Sequence, residues 1–144
     1  MVKSMRSPQE AVEQLMEEAP NAAWLRAVVD ALDRHLRLRS LERLQTLWGL
    51  SDPDTAKIFG VSSQALSRWL RVGVPSKHAR ALAELSAASD TLDHYAKRAQ
   101  IPAIVRRSSS QLTNRSLYEL ACEGRHAEVR AAIGKMFDLH RAQT

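Results

Sequence analysis

Asp52-Pro53-Asp54-Thr55-Ala56-Lys57-Ile58-Phe59-Gly60-Val61-Ser62-Ser63-Gln64-Ala65-Leu66-Ser67-Arg68-Trp69-Leu70-Arg71 is the stretch whose reading decides the fold. It reads as two short helices joined by a tight turn. Asp52 or Asp54 is placed to cap the first helix, with Pro53 in its opening turn, and Ser62 or Ser63 to cap the second. Ala56 is small where the second helix passes close, and Gly60 permits the turn between them. Val61, Leu66 and Trp69 then point back into the core, and Ile58 and Phe59 supply the buried side of the first helix.

With Leu66 and Trp69 turned inward, Ser63, Gln64, Ser67, Arg68 and Arg71 fall on the opposite face, and none of them is acidic. A helix-turn-helix presents the N-terminal part of its second helix to the DNA major groove, where Gln64 suits adenine and Arg68 suits guanine or a phosphate. Ser62, Ser63 and Ser67 complete the expected DNA-facing set. Arg71, Lys77 and Arg80 are expected to meet backbone phosphates, which fix register without reading sequence. The same spacing would serve a plain helical hairpin inside a bundle, but the acid-free outer face favours double-stranded DNA. One recognition helix covers only a few base pairs, so a homodimer on a pseudo-palindromic operator is expected, with half-sites about 34 Å apart.

Charge agrees with this placement. The net charge of +5 is concentrated in residues 62–115, which hold nine Lys and Arg against three Asp and Glu, while the flanking segments are near balance. Such a basic block attracts a phosphate backbone.

Working outward, Ser7-Pro8-Gln9-Glu10 reads as a capped helix start running to about Ala19. Asn21, after Pro20, caps a second helix carrying Trp24, Leu25, Val28, Val29, Leu32 and Leu36 on one stripe. That stripe either packs on the core or forms a dimer interface. A further helix is expected over Ser40–Leu50, stopped by Gly49, with Leu41, Leu44, Leu47 and Trp48 inward. A long helix is expected over Ser76–Ala99, a loop over Arg106–Asn114, and helices over Ser116–Glu123 and His126–His140. The fold class is all-α.

Trp69-Leu70-Arg71-Val72-Gly73-Val74-Pro75, followed by the helix Arg80–Leu85, resembles the end of an Xre/Cro-type helix-turn-helix domain. Ile101-Pro102-Ala103-Ile104 and the stretch Asn114–Arg130 resemble the C-terminal toxin-binding domain of Xre/MbcA/ParS-type antitoxins. The resemblance spans about Leu41 to Asp138. It implies an antitoxin that dimerises, binds its own operator and neutralises an NAD-degrading toxin of the RES class by covering its active site. On that pattern residues 1–39 are an N-terminal helical extension, 40–99 the DNA-binding domain and 100–144 the toxin-binding-like domain. Tyr118, Arg125 and Arg130 are the polar toxin contacts it implies. A stand-alone regulator without a toxin, and an interaction adaptor on the same fold, are the other expected roles.

Other chemistries find little support. Cys122 and His126 stand four apart, but Gly124 interrupts their helix and no second pair of metal ligands appears. His35, His78, His94 and His140 are scattered without a nucleophile, and Asp90, Asp93 and His94 read as solvated charge. The five glycines are isolated, so no phosphate loop is present. No catalytic centre, metal or cofactor is expected. No leader is read in Met1–Ser7 and no run is long and apolar enough to span a bilayer, so the cytoplasm is the expected compartment.

Overall fold

The computed structural model describes residues 7–18 and 21–142, with the side chains of 139–142 outside the description. Ala19, Pro20 and the side chain of His140, on which parts of the sequence reading fall, therefore lie outside the described residues. The chain divides into two compact units, Met1–Asp33 and Arg34–Thr144. Among the described residues the structure is helical, apart from one isolated bridge between Ser109 and Arg115. No described helix is long and apolar enough to cross a membrane.

In the first unit, α1 (Pro8–Glu18) opens with the expected capping box: the Glu10 N–H donates to Ser7 Oγ at 3.1 Å and the Ser7 N–H to the Glu10 carboxylate at 3.3 Å. α2 (Ala22–Trp48) is capped by Asn21, whose Oδ1 accepts from the Trp24 N–H at 2.9 Å. The apolar stripe on these helices is left exposed. Val12, Met16, Val29 and Leu32 are each more than half accessible, and so is Leu36 in the second unit.

α2 replaces two expected helices with one. Arg37-Leu38-Arg39 are good helix formers, and no Gly or Pro separates them from Ser40, so nothing local ends the helix there. The expected boundary at residues 39/40 thus falls inside a continuous helix. Gly49, left-handed at φ 65°, stops it instead.

The second unit continues with α3 (Asp52–Phe59), α4 (Ser63–Val72), a 3-10 turn at Ser76–His78, α5 (Ala79–Tyr95), α6 (Ile101–Arg106), α7 (Leu117–Cys122) and α8 (His126–Ala142). The helix expected over Ser76–Ala99 is shorter, because Ala96 turns extended and Arg98 folds back onto Asp93 at 2.8 Å. Pro102, in the first turn of α6, cannot continue a preceding helix, and its ring lies against Gly49, where an added Cβ would come within 3.2 Å of it. The expected loop before α7 contains a 3-10 turn at Ser110–Leu112, and Thr113 and Asn114 are both left-handed.

One apolar cluster runs through this unit, from Leu41, Leu44 and Trp48 through Ile58, Leu66, Leu82, Leu85 and Leu92 to Ile101, Val105, Leu117, Val129 and Ile133. Residues of the expected 40–99 and 100–144 segments share it. α5 packs most extensively on α8. The buried Trp48 indole donates to Ser89 Oγ at 3.1 Å, and that hydroxyl donates to the Leu85 carbonyl at 2.7 Å, so burial strands neither group.

Candidate nucleic-acid interface

The geometry around α4 begins one residue before α3. Ser51, not Asp52 or Asp54, is the N-cap: its Oγ accepts from the Asp54 N–H at 3.2 Å while Asp54 Oδ2 accepts from the Ser51 N–H at 3.2 Å. Asp54 serves as the third residue of a capping box with a shorter side chain than the usual Glu. At the other end Gly60 is left-handed, and the Val61 N–H reaches the Ala56 carbonyl at 3.0 Å, closing a Schellman turn. Ser62 then caps α4 by accepting from the Ala65 N–H at 3.1 Å.

Three residues, Gly60–Ser62, thus connect the two helices. Ala56, Leu66 and Trp69 are buried where they meet, Val61 is half-buried, and Phe59 sets its ring edge against Trp69 at 5.6 Å. Trp69 also stacks obliquely on His78 at 4.5 Å. Burial, and then the neighbouring Lys77 charge, push the His78 imidazole below its ordinary pKa, so the ring is neutral at pH 7.

Ser62, Ser63, Gln64, Ser67, Arg68 and Arg71 are all exposed, and the first turn of α4 holds no acid. Lys77 and Arg80 are exposed as well. Among the described residues no ion pair engages Arg68, Arg71, Lys77 or Arg80. Arg68 and Lys77 come together in one cleft, whereas Arg80 stands apart from it in the first turn of α5.

The residues singled out in the C-terminal helices all have partners within the chain. The Tyr118 hydroxyl donates to Asp54 Oδ1 at 3.3 Å, and the Arg106 guanidinium lies 4.6 Å over its ring while binding Asp54 Oδ2 at 2.9 Å. Burial, with Cys122 and Asp54 beside it, raises the Tyr118 pKa far above its ordinary value. Arg125 binds Glu128 at 2.5 Å and Glu123 at 3.6 Å, and Arg130 binds Glu84 on α5 at 3.2 Å.

His126 belongs to this framework too. Its Nε2 lies 3.1 Å from the Ile58 carbonyl, which only accepts, so the ring donates there. Asp90 and Asp93 are engaged by Arg43, and Arg98, then Arg43, holds the Asp93 carboxyl below the usual carboxylate range. Among the described residues no cluster of His, Cys, Asp and Glu is arranged to hold a metal ion.

One further surface was not legible in the sequence. A groove of about 580 Å³ lies among α6, α7 and α8, with Ile104, Leu112, Leu117 and Met136 in its wall and Arg107, Arg125 and Lys135 among its polar residues. Its residues come from segments up to thirty-two positions apart, and no local pattern joins them.

Fold and surface together define an all-α protein in which a helix-turn-helix shares one core with a C-terminal group of helices. A similar fold occurs in a chain of the crystal structure of the M. tuberculosis MbcT-MbcA toxin-antitoxin complex, with a TM-score of 0.56 and 22% identity, covering 69% of this chain and 91% of that one. No family model and no curated protein matches the chain in sequence.

Proposed function

We propose that this chain is the antitoxin of a toxin–antitoxin pair: a homodimeric, sequence-specific regulator that binds its own operator through α4 and neutralises a RES-type toxin through α7 and α8. The observation that carries the reading is the outer face of α4. Ser63, Gln64, Ser67, Arg68 and Arg71 are exposed together on a capped helix, no acid interrupts them, and no ion pair among the described residues engages either arginine. A face of that composition suits base edges and phosphates. The likeness to a chain of a toxin–antitoxin complex supports the toxin half, as does the resemblance of Asn114–Arg130 to the toxin-binding domain. On this reading the chain acts by binding, and catalysis belongs to its partner.

The test is a mobility-shift assay on duplex DNA from upstream of the chain's own reading frame, with the neighbouring gene product co-expressed. Arg68→Glu places a negative charge against the groove and abolishes the specific shift, with the helical circular-dichroism spectrum unchanged. Unchanged affinity removes α4 from the interface. Co-purification of an inhibited toxin without any DNA shift establishes the adaptor role instead.

A further inference from the structure

Beside α4 lies a cleft of about 350 Å³ whose wall includes Arg34, Arg68 and Lys77. These cations come from three elements: α2, α4 and the 3-10 turn before α5. No acidic residue lines the cleft, and no ion pair engages any of the three among the described residues. Elsewhere in this unit Arg43, Arg98, Arg106, Arg115, Arg125 and Arg130 each rest on a carboxylate. Like charges gathered without a counter-charge repel one another, and an anion entering between them removes that repulsion.

The backbone holds Arg34 at this edge. Gly73 adopts φ 102°, and a Cβ added there would lie 2.8 Å from the Arg34 Cβ and 2.9 Å from its carbonyl oxygen. α2 therefore passes directly against Gly73 on the cleft wall. One turn further on, the Arg37 Nε–H donates to the carbonyl of the buried Val74 at 2.8 Å, tying the same loop to the same helix. The wall also carries His78, whose buried Nε2 has no hydrogen-bond partner among the described residues.

We infer that Arg34, Arg68 and Lys77 form an oxyanion cleft that seats one phosphoryl group at the flank of the recognition helix. In its DNA form this rests on the operator-binding reading: the group is a backbone phosphate, and Arg34 becomes a contact supplied from outside the helix-turn-helix. A free phosphate-bearing small molecule offers the same chemistry.

The experiment compares the full chain, Arg34→Gln and Arg39→Gln. Arg39 is an exposed residue of α2 that does not line the cleft, so its variant serves as the charge control. Fluorescence anisotropy follows binding to the upstream duplex and to a scrambled duplex from 50 to 200 mM salt. Separately, pyrophosphate is titrated while the indole resonance of Trp69 is followed by NMR.

Seating of a DNA phosphate lowers the log–log salt slope of Arg34→Gln by about 0.9, so that its affinity falls about 3.5-fold less over this salt range. Both duplexes are weakened alike, because phosphate contacts carry no sequence information. Arg39→Gln keeps the wild-type slope. Seating of a free anion leaves the slopes equal, while pyrophosphate shifts the Trp69 resonance of the wild type and not of Arg34→Gln. That second result upholds the cleft even if the wild type binds no DNA, and then only the operator reading fails. If Arg34→Gln matches the wild type in both salt slope and pyrophosphate response, the cleft is refuted, and DNA binding by α4 stands or falls separately.

Discussion

Asp54 holds three groups at once, and removing its carboxylate should cost the sum of what they lose. In Asp54→Ala the capping box loses its return bond to the Ser51 N–H, which costs about 1 kcal/mol. The Arg106 ion pair is partly exposed and contributes only about 0.5 kcal/mol. The half-buried Tyr118 hydroxyl loses the acceptor it has in Asp54, costing about 1.5 kcal/mol. The total is about 3 kcal/mol, or roughly 12 °C in Tm for a unit of this size.

Urea unfolding followed by circular dichroism measures this loss at pH 7. A second arm separates the terms: Tyr118→Phe introduced into Asp54→Ala removes the stranded hydroxyl and recovers about 1 kcal/mol. Acid provides a third arm. The Ser51 hydrogen bonds, with Arg106 adding, hold the Asp54 carboxyl below its ordinary pKa. A depressed folded-state pKa contributes stability above the unfolded value, lost as pH falls through the folded one. Wild type therefore weakens below about pH 4 more steeply than Asp54→Ala. A loss under about 1 kcal/mol at pH 7, or parallel acid profiles for the two proteins, refutes the claim that this carboxylate joins α3 to α6 and α7.

Two other perturbations discriminate among features of the fold. Gly73→Ala drives a Cβ into the Arg34 backbone and costs more than about 2 kcal/mol, whereas Gly60→Ala meets nothing within 4 Å and costs only the left-handed strain of about 1 kcal/mol; equal losses in urea unfolding would contradict the close approach of α2. Leu32→Glu, at a side chain 55% exposed, is expected to convert the proposed dimer to monomer in sedimentation equilibrium without lowering Tm, and a persistent dimer would exclude the N-terminal stripe as its interface.

The helix-turn-helix was legible because its signals are local. Pro53 and Gly60 act through their own backbone, Ser62 through a side-chain cap three residues away, and Leu66 and Trp69 share a face by helical periodicity alone. The true cap was missed because Ser51, Asp52 and Asp54 are comparable cap formers by type, and Ser51 wins through a reciprocal bond with Asp54 that shows only once the turn is built. The unbroken α2 and the early end of α5 escaped for related reasons. Nothing local stops the former at Ser40, and nothing in the type of Ala96 marks the latter's end, which shows only once the backbone turns extended there and Arg98 folds back onto Asp93. Arg34 was invisible as a partner of Arg68 and Lys77, since three separate elements build that cleft. Tyr118, Arg125 and Arg130 came from the family resemblance, which names positions but does not show that each also has a partner within the chain.

α3 is gripped at both tips by later helices, through Tyr118 and Arg106 on Asp54 and through His126 on the Ile58 carbonyl. The first half of the proposed DNA-reading pair therefore has no hinge of its own against the C-terminal helices. On the proposed function, a molecule that seizes α7 and α8 carries the reader with it as one solid block, so its influence on an operator is exerted through where that block is placed and what it obstructs.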